Sequence, residues 1–150
     1  MNKLRLLFLA LMSLTFVACE NGENNALPPK PVDGEYYTGT MAVDQNDGTF
    51  YTQSNVEVDY EIKDGKLNFV MYKVKFSNGM PLKLDMVVEG ANCEETATGY
   101  TISGEGLVPY AMGGPFEKFT ITNLEGEVSA STMSLSFTCG EYPVTYNGTK

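Results

Sequence analysis

The chain has 150 residues, with 10 basic and 19 acidic side chains, a net charge of −9, and neither histidine nor tryptophan. Lacking histidine removes the commonest general base and metal ligand and every histidine-based triad, so no enzyme chemistry, cofactor or metal centre is expected. Nucleic-acid binding needs clustered Lys and Arg to displace phosphate counterions, and scattered lysines in an acidic field exclude it.

Residues 1–18 read as a signal peptide. Lys3 and Arg5 give a basic start, residues 6–17 are apolar, and Ala18-Cys19 closes the segment. The apolar run is too short for a membrane span, which needs roughly 20 residues. Phe16-Val17-Ala18-Cys19 resembles the bacterial lipobox, with Phe16 where Leu is usual, so Cys19 is the expected lipidation site; the alternative is an ordinary secretory peptide with a chance cysteine. Cleavage there leaves 8 basic and 19 acidic residues, net −11, and no arginine. A protein of that charge does not dock on anionic lipid by its own field. Its membrane partner is therefore expected to be reached through acyl chains on Cys19. The address expected is the bacterial outer membrane, on either its periplasmic or its surface face.

Residues 19–33, the lipidated cysteine and a polar, proline-rich stretch, read as a flexible tether. Residues 34–150 read as one domain. From Tyr36 onward the pattern has period two. Val56, Val58, Tyr60 and Ile62 alternate with Glu57, Asp59, Glu61 and Lys63, as in a strand with one buried face. Asp64-Gly65 follows, a type I′ hairpin signal. Closing there pairs Lys63 with Lys66, Ile62 with Leu67, Tyr60 with Phe69 and Val58 with Met71. The phase then slips, which predicts a bulge near residues 71–73. Further strands are predicted at 37–43, 82–89, 99–104, 116–124, 133–139 and 142–147. That makes about eight, with no convincing helical period, so the fold class is all-β, a sandwich or an antiparallel barrel.

The segments Tyr-Tyr-Thr-Gly-Thr-Met-Ala-Val (36–43), Val-Glu-Val-Asp-Tyr-Glu-Ile-Lys-Asp-Gly-Lys-Leu (56–67), Phe-Thr-Ile-Thr-Asn-Leu-Glu-Gly-Glu-Val (119–128) and Val-Thr-Tyr-Asn-Gly-Thr-Lys (144–150), behind a lipoprotein signal, resemble the calycin-like β-barrel domains of bacterial envelope lipoproteins. The resemblance implies a single eight-stranded antiparallel, lipocalin-like barrel whose interior holds a small apolar ligand, and no catalytic motif. The Gly-x-Trp of lipocalins is missing.

Several residues invite a chemical reading beside a plain one. Cys93 and Cys139 remain after lipidation in an oxidising compartment and suggest a disulfide; the alternatives are two buried thiols or a redox pair without Cys-x-x-Cys spacing. Asp44, Asn46 and Asp47 before Gly48 are oxygen-rich, yet they miss the EF-hand spacing and match turn residues. Glu94-Glu95 with Glu105 are either paired carboxylates of a glycosidase or the chance yield of an acidic chain. Asn147-Gly148-Thr149 is a glycosylation sequon, or a turn near the chain's end. Tyr100, Tyr110, Met112 and Phe116 around Gly113-Gly114-Pro115, together with the inward Tyr60 and Phe69, are expected either to line a ligand pocket or to pack the core. The leading functional expectation is a non-catalytic envelope lipoprotein that binds a small hydrophobic or amphipathic ligand in the barrel. The alternative is a protein-interaction or inhibitor module with a filled barrel, engaging another envelope protein.

Overall fold

A computed structural model describes residues 36–150. The signal peptide, Cys19 and the tether lie outside the described residues. Ten strands follow in chain order: β1 Tyr37–Asp44, β2 Phe50–Lys63, β3 Lys66–Val74, β4 Leu84–Glu95, β5 Gly99–Gly104, β6 Tyr110–Ala111, β7 Gly114–Pro115, β8 Ile121–Ser129, β9 Thr132–Cys139 and β10 Tyr142–Thr149. One 3₁₀ turn, Glu117–Phe119, interrupts them. No α-helix occurs among the described residues, in keeping with the lack of a helical period in their sequence.

All pairings are antiparallel. The lateral order is β3-β2-β1-β10-β9-β8-β5-β4, and β4 pairs back onto β3, so eight strands close a barrel without free edges. The small β6–β7 hairpin completes the wall where β5 runs out: Tyr110 pairs with Val87 of β4, and Leu107 bridges to Ile121 of β8.

The predicted hairpin closes in the expected register, Lys63 opposite Lys66, Ile62 opposite Leu67, Tyr60 opposite Phe69 and Val58 opposite Met71. Asp64 and Gly65 have φ of 54° and 76°, the positive values that a type I′ turn demands. The predicted bulge is also present, as a register shift between Met71 and Val74 with Lys73 at φ 54°. Several boundaries differ from expectation: β4 runs to Glu95 rather than residue 89, β8 to Ser129 rather than 124 and β10 to Thr149 rather than 147, and two strands start late. The strand expected from residue 82 starts at Leu84, because Pro81 precedes it and cannot donate to a ladder. The strand expected over 116–124 starts at Ile121, since the 3₁₀ turn takes up residues 117–119.

Inward side chains fill the barrel. Tyr37, Met41, Phe69, Met71, Met86, Met133, Phe137 and Tyr146 are all essentially solvent-free, and Phe69 packs against Phe137 with ring centroids 6.4 Å apart. The Tyr146 hydroxyl, deep among them, donates to the carbonyls of Tyr37 and Val56, each at 3.0 Å. Beside it the wall pinches so closely that a Cβ on Gly148 would sit 2.2 Å from the Tyr146 oxygen.

Candidate functional site

The barrel has two ends. One carries the turns at 64–65, 96–98 and 130–131; the other carries the loops at 45–49, 75–83, 112–113 and 140–141. An apolar cleft of about 220 Å³ opens at the second end, between the β3–β4 loop and the tip of the β6–β7 hairpin. Its floor is Leu84 and Phe119, both buried, and its walls are Met80, Leu82, Met112 and Phe116. Lys83 and Lys118 also line it, two cations in an acidic protein.

Local chemistry sets this geometry. In the β3–β4 loop the Met80 N–H donates to the Ser77 carbonyl at 3.3 Å, and the Phe76 N–H points at the Met80 sulfur at 3.1 Å. Phe76, fully buried, meets Phe119 edge-on at 5.3 Å; Phe119 in turn stacks on Phe116 at 4.8 Å. This aromatic chain runs from the core to the cleft wall and closes the barrel's end from inside. Opposite it, the hairpin tip consists of Met112 and Gly113 at φ 54° and 89°. A left-handed conformation costs a bulky L-residue roughly 1–2 kcal/mol and is usual only for Gly or Asn. Met112 accepts that cost while 68% exposed, and Leu82 across the cleft is 64% exposed. Strain at an exposed apolar residue beside a cleft is a pointer to function. A second hollow of about 490 Å³ shares Met80, Lys118 and Phe119 with the first and continues it toward Gly140, Glu141 and Tyr142.

Of the six residues expected to line one pocket, the structure brings together only Met112 and Phe116. Phe69 is core. Tyr60 lies against Tyr37 at 6.2 Å and Tyr100 sits near the start of β5, both toward the end opposite the cleft. Tyr110 packs on the outside of the barrel with Val70, Tyr72 and Val87. Alternation along a strand identifies an inward residue but not how far along the axis it sits. Met80, Leu82, Leu84, Phe119, Lys83 and Lys118 were missed; Pro81 was the available signal that Leu82 leaves the strand.

The expected disulfide is absent: Cys93 and Cys139 are free thiols. Cys93, half-buried, lies against the Gly65 carbonyl at 3.6 Å, at the 64–65 end. Cys139 lies against the Phe119 carbonyl at 3.7 Å, at the cleft end. Strands that run the length of the barrel hold the two apart. Burial pushes the Cys139 thiol well above its ordinary range, which keeps it protonated and unreactive.

The remaining oxygen-rich residues serve the backbone. Asp44 accepts from the Asn46 N–H at 2.8 Å, and Asp47 accepts from both the Thr49 N–H and hydroxyl, bonds that hold its carboxyl below the usual range. These are turn contacts, with the carboxylates folded onto their own loop. Glu105 accepts from the Asn123 N–H at 2.7 Å and so supports the β8 bulge, while Glu94 lies on the outer surface of β4. The sequon does not mark a turn: Asn147 and Gly148 lie within β10, paired to β1 on one side and β9 on the other. No group of three or more His, Cys, Asp or Glu side chains gathers for a metal among the described residues. A hollow of about 650 Å³ on the outside of β4, β5, β8, β9 and β10 is lined by hydroxyls and carboxylates, among them Glu94, Ser103, Glu125 and Glu127.

The fold and the cleft define a class, a closed eight-stranded antiparallel barrel with a packed interior and an apolar recess at one end. Compared with protein-family models, with curated proteins and with solved structures, the chain has no match.

Proposed function

We propose that this is a non-catalytic, lipid-anchored envelope protein of the calycin-like kind, held at the bacterial outer membrane through Cys19, and that it binds a small hydrophobic or amphipathic molecule at the end of its barrel. The observation that carries the reading is the apolar cleft with a strained, exposed methionine on its rim and two lysines beside it. An axial site is disfavoured, because Tyr37, Met41, Phe69 and Phe137 occupy the volume a ligand would need. The lysines favour an amphiphile whose anionic head stays at the rim while its apolar part enters between Met112 and Leu82. The second reading, an interaction module for another envelope protein, draws on the same filled core and on the modest cleft, smaller than the roughly 300–1,000 Å³ of small-molecule pockets.

Met112→Gly separates binding from stability. It relieves the left-handed strain and so raises stability by about 1 kcal/mol, yet it removes an apolar wall. Dodecanoate is expected to raise the melting temperature of wild-type protein at concentrations well above Kd and to do so much less for Met112→Gly. If dodecanoate leaves the wild-type melting temperature unchanged, the small-ligand reading falls and the interaction module takes its place.

A further inference from the structure

The most exposed large apolar side chains of the described residues gather at one end of the barrel. Phe50 is 64% exposed, as is Leu82, and Met112 is 68% exposed, whereas no other large apolar residue among those described exceeds 39%. The three stand on successive stretches of the rim. Phe50 opens β2 after the 45–49 loop, Leu82 lies near the end of the β3–β4 loop, and Met112 is at the tip of the β6–β7 hairpin. Because β2 pairs with β3, β3 with β4 and β4 with β6, these stretches are neighbours around the wall and make one arc. At the opposite end only Tyr36 and Ile62, the latter beside the 64–65 turn, are exposed apolar residues, and both are much less so.

At the hairpin tip the chain keeps an apolar residue against its backbone preference. Ala111 pairs with Gly114, so Met112 and Gly113 are the two residues of a tight turn, both with positive φ. Asn or Gly fits such a turn with little strain. The other non-glycine residues with positive φ among those described are Asn46, Asn55, Asp64, Lys73 and Asn123, all polar, so Met112 stands apart. Grouped exposed apolar side chains mark a docking surface, and the charges around these say for what. Lys75 lies over the ring of Tyr51, the residue after Phe50, at 5.7 Å, and Lys83 and Lys118 line the cleft between Leu82 and Met112. Together with Lys73 they balance Asp44, Asp47, Asp85 and Glu117 of the same region, so in a chain of net charge −9 this arc is close to neutral. Lysine stems lie along apolar surface while their heads reach a polar layer. Apolar tips with lysine heads set behind them match the layering of a lipid surface, acyl chains beneath phosphates.

We propose that this end of the barrel docks on a lipid bilayer, with Phe50, Leu82 and Met112 seated at the boundary between headgroups and acyl chains and Lys75, Lys83 and Lys118 at the level of the phosphates. Apolar groups of interfacial proteins sit about 5–10 Å into that layer. Apolar insertion drives the contact rather than net charge, so docking holds on a zwitterionic surface and changes little with salt. The proposal rests on the reading that the cleft takes an amphiphile. Such a ligand resides in the bilayer, and a mouth seated there admits it between Leu82 and Met112 without passing its apolar chain through water.

The chain has no tryptophan, so single replacements report one position each. Phe50→Trp and Leu82→Trp on the arc, and Ile62→Trp at the opposite end, are made in the chain from residue 19 carrying Cys19→Ala, which leaves no acyl anchor. With phosphatidylcholine vesicles the first two should shift their emission to the blue and be quenched by brominated acyl chains, and Ile62→Trp should do neither. Phe50→Asp, outside the cleft, should lower the vesicle partition coefficient about tenfold, as the loss of one inserted apolar side chain implies, while dodecanoate still raises the melting temperature of that variant. Unchanged emission at positions 50 and 82 in protein that still binds dodecanoate would overturn the docking and leave the cleft reading standing. Quenching at Ile62 equal to that at Leu82 would also overturn it. So would a wild-type dimer in sedimentation that Phe50→Asp turns into a monomer, because a second copy would then cover the arc.

Discussion

Gly148 and Tyr146 offer the sharpest test of how this barrel is held shut. A Cβ at position 148 would lie 2.2 Å from the Tyr146 hydroxyl oxygen and 2.7 Å from the ring carbon that bears it. Contacts shorter than about 3 Å do not persist in a close-packed interior, so Gly148→Ala must push the phenol aside. The phenol cannot move freely, because its hydroxyl bonds the Tyr37 and Val56 carbonyls, tying β10 to β1 and β2. Overpacking costs about 1–3 kcal/mol and losing the buried hydrogen bond about 1 kcal/mol, so Gly148→Ala should cost about 2–4 kcal/mol. Tyr146→Phe alone should cost about 1–2 kcal/mol. In the double variant the bond is already gone and the nearest clash is the more tolerant 2.7 Å contact. The two changes should therefore fall short of additivity by about 1 kcal/mol. Urea denaturation of the four proteins, with melting temperatures as a check, measures the cycle. Gly148→Ala within about 0.5 kcal/mol of wild type, or strict additivity, would refute the reasoning.

Two further outcomes follow from the free thiols and the buried hydroxyls. A thiol reagent should modify Cys93 in the folded protein and reach Cys139 only after denaturation; a disulfide resistant to the reagent until reduction would contradict the geometry. Desolvation raises the Tyr146 hydroxyl above its ordinary range and Tyr72 to about 12. A raised folded-state value means that the unfolded chain loses these protons first. Stability should then be undiminished below about pH 10 and decline as pH rises beyond it. Tyr146→Phe should flatten that decline, and an alkaline limb identical in both proteins would remove Tyr146 from the account.

Features that depend on residues close in the chain were legible before any folding was considered. The β2–β3 hairpin was legible down to its register, because Asp64-Gly65 accepts positive φ and every apolar pair then lands on one face. The bulge near Lys73 was legible for the same reason, as a slip in alternation. One stronger signal went unread. Residues 69–72, Phe-Val-Met-Tyr, are an unbroken apolar run, the mark of a strand covered on both faces, and both its inward and its outward side chains are buried. Tertiary structure alone decided the rest. Closure of β10 on β1 joins residues more than a hundred positions apart, and only closure fixes how high along the axis each inward residue stands. That height separates Cys93 from Cys139, scatters Tyr60, Tyr100 and Tyr110 away from the cleft, and brings Leu82 opposite Met112. Period two tells which side of the wall a residue occupies, but its place along and around the barrel is set by strand stagger, which follows from packing the whole interior at once.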